Sequence, residues 1–339
     1  MKFPEEKILS DLQIIEFINQ SDFSSAADWL FRSQLKNWQL MKANYVALKN
    51  IKTKSYWFDG FKFNLQYNPE RIKSTSALVD KKSISNRPCF LCTTNLPEKQ
   101  KGIVLEEDFV LLCNPYPIFP QHFTIAASEH KPQRISDYFS DFLELSKLLS
   151  PRYTVIYNGP ACGASAPDHL HFQAGTKNFM PIENDIQQMK NDFGVVVQEN
   201  ENISTTFING GLRRIVFVES TDQSLIKKSF EILFNAIKKY SPAEPEPMMN
   251  CLCTYDEEFG WYLIIFLRSK HRPKYFEKED SKKILISPAA VDLGGLVITP
   301  REEDFQRTDT NLLREIINEV SFDQKIFSLI EKEVKSELN

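Results

Sequence analysis

The hydrophobic pattern along the chain changes period several times, and each change marks an element. Over residues 7–50, Ile8, Leu12, Ile15, Phe17 and Ile18 recur every three or four positions. Trp29, Leu30, Leu35, Trp38 and Leu40 follow, so this stretch reads as helix. Residues 56–67 read as a strand pair turning at Asp59-Gly60. Residues 74–86 are polar and read as a surface loop. The apolar runs at 109–114, 122–127 and 153–157 predict strands. Ile135, Phe139, Phe142, Leu143, Leu145, Leu148 and Leu149 predict a helix over 132–150, with Pro132 near its start. A similar order returns as a strand at 212–219, an amphipathic helix at 224–240, and a hairpin of 248–255 with 261–268. Residues 310–337 read as a closing helix. The pattern predicts an α+β protein of antiparallel sheets with flanking helices. It divides into a helical segment (1–55), a first half (56–190), a second half of related topology (191–305) and a helical tail (306–339), without detectable sequence repetition.

At 339 residues the chain can bury a large core, and its 42% hydrophobic and 25% charged content is ordinary for a globular protein. A net charge of −4 argues against broad nucleic-acid or membrane-surface binding. No apolar run reaches the ~20 residues of a transmembrane helix, and the start has no apolar signal region, so a cytoplasmic protein is expected. In that compartment cysteines are free or metal-bound. Cys89-x-x-Cys92 is then a candidate metal or redox pair. Cys113, Cys162, Cys251 and Cys253 read as small core filler.

The candidate chemistry lies in Asp168-His-Leu-His-Phe-Gln173, which holds two of the five histidines. Read as a strand, it places His169, His171 and Gln173 on one face. One imidazole can attack phosphorus while the amide donates to phosphoryl oxygens. The turn ahead of it, Asn158-Gly-Pro-Ala-Cys-Gly-Ala-Ser165, suits close approach of backbone N–H groups to an anion, with Gly163, Ala164 and Ser165 as the cradle. Arg268, Lys270, His271 and Arg272 suit a second phosphate or sugar phosphate, or else a solvated strand end.

Taken in order, Asn114-Pro-Tyr-Pro, His122-Phe-Thr-Ile, His130, Asn158-Gly, Gly163, Ser165 and His169-x-His171-x-Gln173 resemble the histidine-triad superfamily. Gln173 in place of a third histidine resembles the branch of galactose-1-phosphate uridylyltransferase, diadenosine tetraphosphate phosphorylase and GDP-L-galactose phosphorylase. The Cys-Phe-Leu-Cys and Asp-His-x-His-Phe-Gln-Ala blocks also resemble an uncharacterised bacterial family of that branch. The resemblance implies that His171 attacks an α-phosphorus and forms a covalent nucleotidyl-histidine. The donor would be a nucleoside diphosphate sugar or dinucleoside polyphosphate, and inorganic phosphate or a sugar phosphate the acceptor. A nucleotide pyrophosphate hydrolase and a zinc-stabilised nucleotide-binding regulator are the competing readings. By the same resemblance Gln66, Asn68 and Arg71 join Asn114 and Asn158 near the nucleotide. His122 lies on a strand near it or is a packing histidine. Bacterial uridylyltransferases imply a structural zinc on Cys89, Cys92, His130 and His169. Related enzymes are often dimers, which implies a homodimer here.

Overall fold

The computed structural model describes residues 3–76, 80–106, 108–241 and 243–338. Thirteen strands are present among the described residues: β1 (Lys52–Phe58), β2 (Phe61–Tyr67), β3 (Gly102–Leu105), β4 (Phe109–Cys113), β5 (His122–Ala127), β6 (Tyr153–Asn158) and β7 (His171–Thr176). They continue with β8 (Gly194–Asn200), β9 (Ile203–Gly210), β10 (Arg213–Ser220), β11 (Met249–Asp256), β12 (Gly260–Leu267) and β13 (Leu296–Thr299). Ten form one antiparallel sheet in the order β3-β4-β5-β7-β6-β11-β12-β10-β9-β8. Counted inward from either edge, the connectivity is the same: three consecutive strands, then the fifth, then the fourth. A helix follows the third strand in each half, Phe139–Leu148 in one and Gln223–Tyr240 in the other. The halves meet where β6 pairs with β11, with Asn158 opposite Asn250. The α+β architecture of antiparallel sheets with flanking helices expected from the sequence is what the chain adopts.

Alternation along the strands sends successive side chains to opposite faces. On one face Phe172, Ala174, Val155 and Tyr157 join a core with the N-terminal helices and the helices at Phe139–Leu148, Gln223–Tyr240 and Gln324–Leu338. On the other face Ile156, Leu252, Ile264 and Phe266 pack beneath a small sheet of order β1-β2-β13. Strand β13 runs parallel to β2, with Leu296 opposite Asn64. His171 and Gln173 point to this second face.

Several expectations need correction. The helix expected over 132–150 begins only at Phe139. Upstream the backbone donors are committed elsewhere, Gln133 N–H to Pro167 O at 3.3 Å and Ile135 N–H to a Glu246 carboxylate oxygen at 2.9 Å. The C-terminal region breaks at residue 321 into Thr310–Val320 and Gln324–Leu338, because Ser269 N–H takes the Val320 carbonyl at 3.0 Å. The polar stretch 74–86 contains the end of a short helix at Ile72–Thr75 and another at Lys81–Ser85, while residues 77–79 lie outside the described residues. The histidine strand begins at His171, so His169 sits in the bend before it. No helix of the described residues is long and apolar enough to cross a membrane.

Candidate active site

The early strand start separates the two histidines chemically. His171 is buried, and its Nδ1 lies 2.8 Å from the carbonyl oxygen of His169. A carbonyl only accepts, so Nδ1 carries the proton and Nε2 keeps its lone pair. Burial pushes the imidazole down to about 4, which leaves it neutral near pH 7. The backbone of His171 is clamped from behind by fully buried Gln133. That amide accepts from His171 N–H at 2.8 Å and donates to the His171 and Asn158 carbonyls at 2.9 Å each.

His171 and Gln173 open into a cavity of about 490 Å³. Of the residues expected near a nucleotide, Arg71, Asn114, Asn158, Gly163, Ala164 and Ser165 also line it. Gly163 has φ +116°, and a Cβ there would lie 2.6 Å from the Cβ of Ala289, so the turn approaches the opposite wall too closely for a side chain. Asn158 Oδ1 accepts from Asn250 Nδ2 at 2.8 Å and from Ala290 N–H at 2.9 Å, which ties the turn to that wall. Arg71 donates to the Tyr116 carbonyl at 2.7 Å; burial lowers its guanidinium to about 10, and it stays cationic.

The other candidates lie elsewhere. Gln66 and Asn68 are buried behind the wall, where Asn68 Nδ2 donates to Gln66 Oε1 at 3.2 Å and to Pro117 O at 3.1 Å. They brace the loop that Asn114 and Tyr116 present, and they are not among the described residues lining the cavity. His122 is also absent from the lining; it lies behind Gln173. Arg268 is fully buried, and its guanidinium donates to Val320 O, Asn250 Oδ1, Lys270 O and His271 O. It is a strut rather than a ligand contact. Lys270 pairs with Glu319 at 2.7 Å, so of this group only His271 and Arg272 line the cavity.

Sequence reasoning missed two walls. Phe90, Leu91, Asn95 and Leu96 line the cavity from the loop that begins at Cys89, and the Cys-x-x-Cys spacing was the available signal. Ser287, Ala289, Asp292 and Ile298 arrive from more than a hundred residues downstream, and no local pattern marks them. Asp292 accepts from Ala289 and Ile298 N–H at 2.9 Å each, and burial raises its carboxyl to about 6.

The ring of His169 faces away from the cavity. Its Nε2 donates to Ala127 O at 2.9 Å, and its Nδ1 lies 3.4 Å from Cys89 Sγ and 3.6 Å from Cys92 Sγ. Cys92 Sγ lies 3.2 Å from His130 Nδ1, and the four ligand atoms fall within 4.8 Å of one another. Two thiols and two imidazole nitrogens this close form a group able to hold a metal ion. Asp168 stands 3.8 Å from His130 Nε2, the place of an outer carboxylate that orients a ligating imidazole.

Two family models match the chain, "Domain of unknown function (DUF4922)" over residues 30–176 and "GDPGP1-like, C-terminal domain" over residues 248–339. A galactose-1-phosphate uridylyltransferase of Bacillus subtilis is 30% identical over 129 residues, covering 33% of this chain and 25% of that protein. One from Halalkalibacterium halodurans is 26% identical over 162 residues, covering 41% and 32%. These matches make parts of the chain similar to uridylyltransferases and to the GDPGP1-like C-terminal domain. The chain spans about a quarter to a third of the length of those relatives. The same fold occurs in the yeast Ap4A phosphorylase Apa2 in complex with Ap4A, at TM-score 0.53 and 17% identity, covering 84% of this chain and 96% of that one. Without ligand, Apa2 gives TM-score 0.54.

Proposed function

We propose that the protein is a nucleotidyltransferase or phosphorylase that passes a nucleotide through His171. The observation that carries this reading is the locked tautomer. With Nδ1–H held by His169 O, the Nε2 lone pair of a neutral imidazole stands in the cavity beside Gln173 and the Gly163–Ser165 turn. In the first step Nε2 attacks the α-phosphorus. A nitrogen–phosphorus bond forms as the phosphorus–oxygen bond to the leaving sugar phosphate, or to the leaving nucleotide of a dinucleoside polyphosphate, breaks. In the second step an oxygen of inorganic phosphate or of a sugar phosphate attacks the same phosphorus, and the imidazole departs as the base it was. Gln173 cannot supply a proton, which suits leaving groups that depart as anions. Its amide and the turn N–H groups hold phosphoryl oxygens as charge builds. His271 and Arg272 extend the cavity toward a second phosphate.

Cys89, Cys92, His130 and His169 suit zinc. Zinc–sulfur bonds near 2.3 Å and zinc–nitrogen bonds near 2.0 Å set tetrahedral sulfur–nitrogen separations of about 3.5 Å, and the observed contacts run from 3.2 to 3.6 Å. Four protein ligands leave no open position, so the ion would be structural. Bound there, it would fix the loop at residues 89–92 against the bend that carries His169.

The test is product analysis with ADP-, GDP- and UDP-glucose and with diadenosine tetraphosphate, each with and without inorganic phosphate. Phosphate-dependent release of a nucleoside diphosphate from one donor supports the reading. Phosphate-independent release of nucleoside monophosphate supports hydrolysis instead. Tight binding without turnover supports a nucleotide-binding regulator.

A further inference from the structure

His122 is the fully buried histidine that the chemistry above leaves unused. Strand register explains its place. On β5 it stands opposite Gly175 of β7, while Thr124 stands opposite Gln173, so His122 and Gln173 are diagonal neighbours on one face. Ile118 N–H points at His122 Nδ1 at 3.3 Å, and His122 Nε2 lies 2.8 Å from Gln173 Oε1. The edge of the Phe119 ring, with centroids 5.2 Å apart, holds the imidazole plane.

These contacts fix every polarity in the row. A backbone amide can only donate, so Nδ1 of His122 must accept. Nε2 then bears the proton and must donate, and the atom of Gln173 facing it must be the carbonyl oxygen. The amide NH2 of Gln173 is left to face the cavity. Reversed, Gln173 would turn a carbonyl oxygen toward the phosphoryl oxygens and repel them.

We infer that His122 is a positioning residue, which sets the orientation of the Gln173 amide so that its N–H groups meet the phosphoryl group under attack by His171. This rests on the proposed nucleotidyl transfer for its consequence, though its geometry stands apart from it. Burial and the nearby Arg71 cation hold the imidazole down to about 3, so the row keeps one polarity at working pH. Sequence alone left His122 between a nucleotide contact and a packing histidine. The structure assigns a third role, behind the cavity and through another side chain.

Two measurements test it. Nitrogen-15 NMR of the intact protein reads the tautomer without any substrate. The expected result is His122 protonated at Nε2 alone from pH 6 to pH 8; a proton on Nδ1 overturns the inference and leaves the transfer reading intact. The second is a double-mutant cycle on turnover of whichever of ADP-, GDP- and UDP-glucose or diadenosine tetraphosphate serves as donor. His122→Phe should lower kcat by about 10-fold or more with KM nearly unchanged, because a freed amide turns and loses a transition-state donor. In the Gln173→Ala background the same substitution should change kcat less than about twofold. His122→Gln, which restores an N–H donor, should recover part of the loss and guards against a folding defect. Equal losses in both backgrounds, or no loss in either, overturn the inference. Wild-type kcat in Gln173→Ala instead overturns the role given to Gln173 by the transfer reading, and the catalytic half of the inference falls with it.

Discussion

The carbonyl oxygen of His169 accepts the Nδ1 proton of His171 at 2.8 Å, while the ring of His169 turns its own Nδ1 to the thiol of Cys89 at 3.4 Å. One residue therefore serves two sites, its backbone fixing the candidate nucleophile and its side chain joining the candidate metal group. The bend before β7 makes this possible. Had the strand begun at residue 169, both imidazoles would share the cavity, and neither would have that carbonyl as partner.

This relationship predicts that metal loss reaches His171 through the bend. Cys92→Ser should weaken metal affinity by about 10–100-fold or more and lower the melting temperature. It should lower kcat more than it raises KM. Metal content by elemental analysis, melting temperature and kinetics check it, and unchanged metal content would contradict it.

Gln133 is the counterpart behind the nucleophile. Gln133→Leu leaves the His171 N–H and two carbonyls without their partner in a dry site. The expected cost is about 3 kcal/mol of folding stability, read from denaturant unfolding, together with loss of turnover. A cost within about 0.5 kcal/mol would show that the clamp is dispensable.

Gly163→Ala places a methyl against Ala289 at a φ of +116°. The expected result is destabilisation by about 1–3 kcal/mol and nucleotide affinity reduced at least tenfold, measured by calorimetry with a nucleoside monophosphate. Ser165→Ala, which adds no atom, should retain the fold and lose less.

Acid should destabilise the protein early. Burial, and then the Arg71 cation, hold His122 down to about 3; burial, and then Arg272 and Arg268, hold His271 down to about 4, against an ordinary value of 6.5. Between pH 6.5 and pH 4 the unfolded chain takes protons that the native state refuses. Stability is therefore fully present above pH 6.5 and is lost as pH falls, by up to about 1.4 kcal/mol per pH unit for each buried imidazole. Melting temperature measured from pH 8 to pH 5 checks this, and His271→Gln should flatten the slope.

Much of the fold was legible because alternation and turn chemistry are local. The hairpin at Asp59-Gly60 and the strands around 109–127 and 153–157 needed no distant information. The helix start at Phe139 was not legible, because a carboxylate from Glu246 and the chain at Pro167 had taken the preceding backbone donors. At the site, His171, Gln173 and the Gly163–Ser165 turn were visible as a motif. Arg268 misled, since a cationic cluster in sequence does not reveal that one guanidinium is spent on four oxygens inside the core. Asp292 and Ala289 were invisible because long-range contacts, the β2–β13 pairing and the Ala290 N–H bond to Asn158 among them, bring their loop over the cavity. The strands of the second half carry no histidine, so the repeat of topology supplies one candidate nucleophile rather than two.

The most direct test is intact-protein mass spectrometry after mixing the protein, free of phosphate, with each of ADP-, GDP- and UDP-glucose and diadenosine tetraphosphate. The account predicts an added nucleoside monophosphate mass with one of these donors, absent in His171→Ala and discharged by inorganic phosphate or a sugar phosphate. Turnover of any of them at the wild-type rate by His171→Ala, with no adduct on rapid quenching of the wild type, would contradict it.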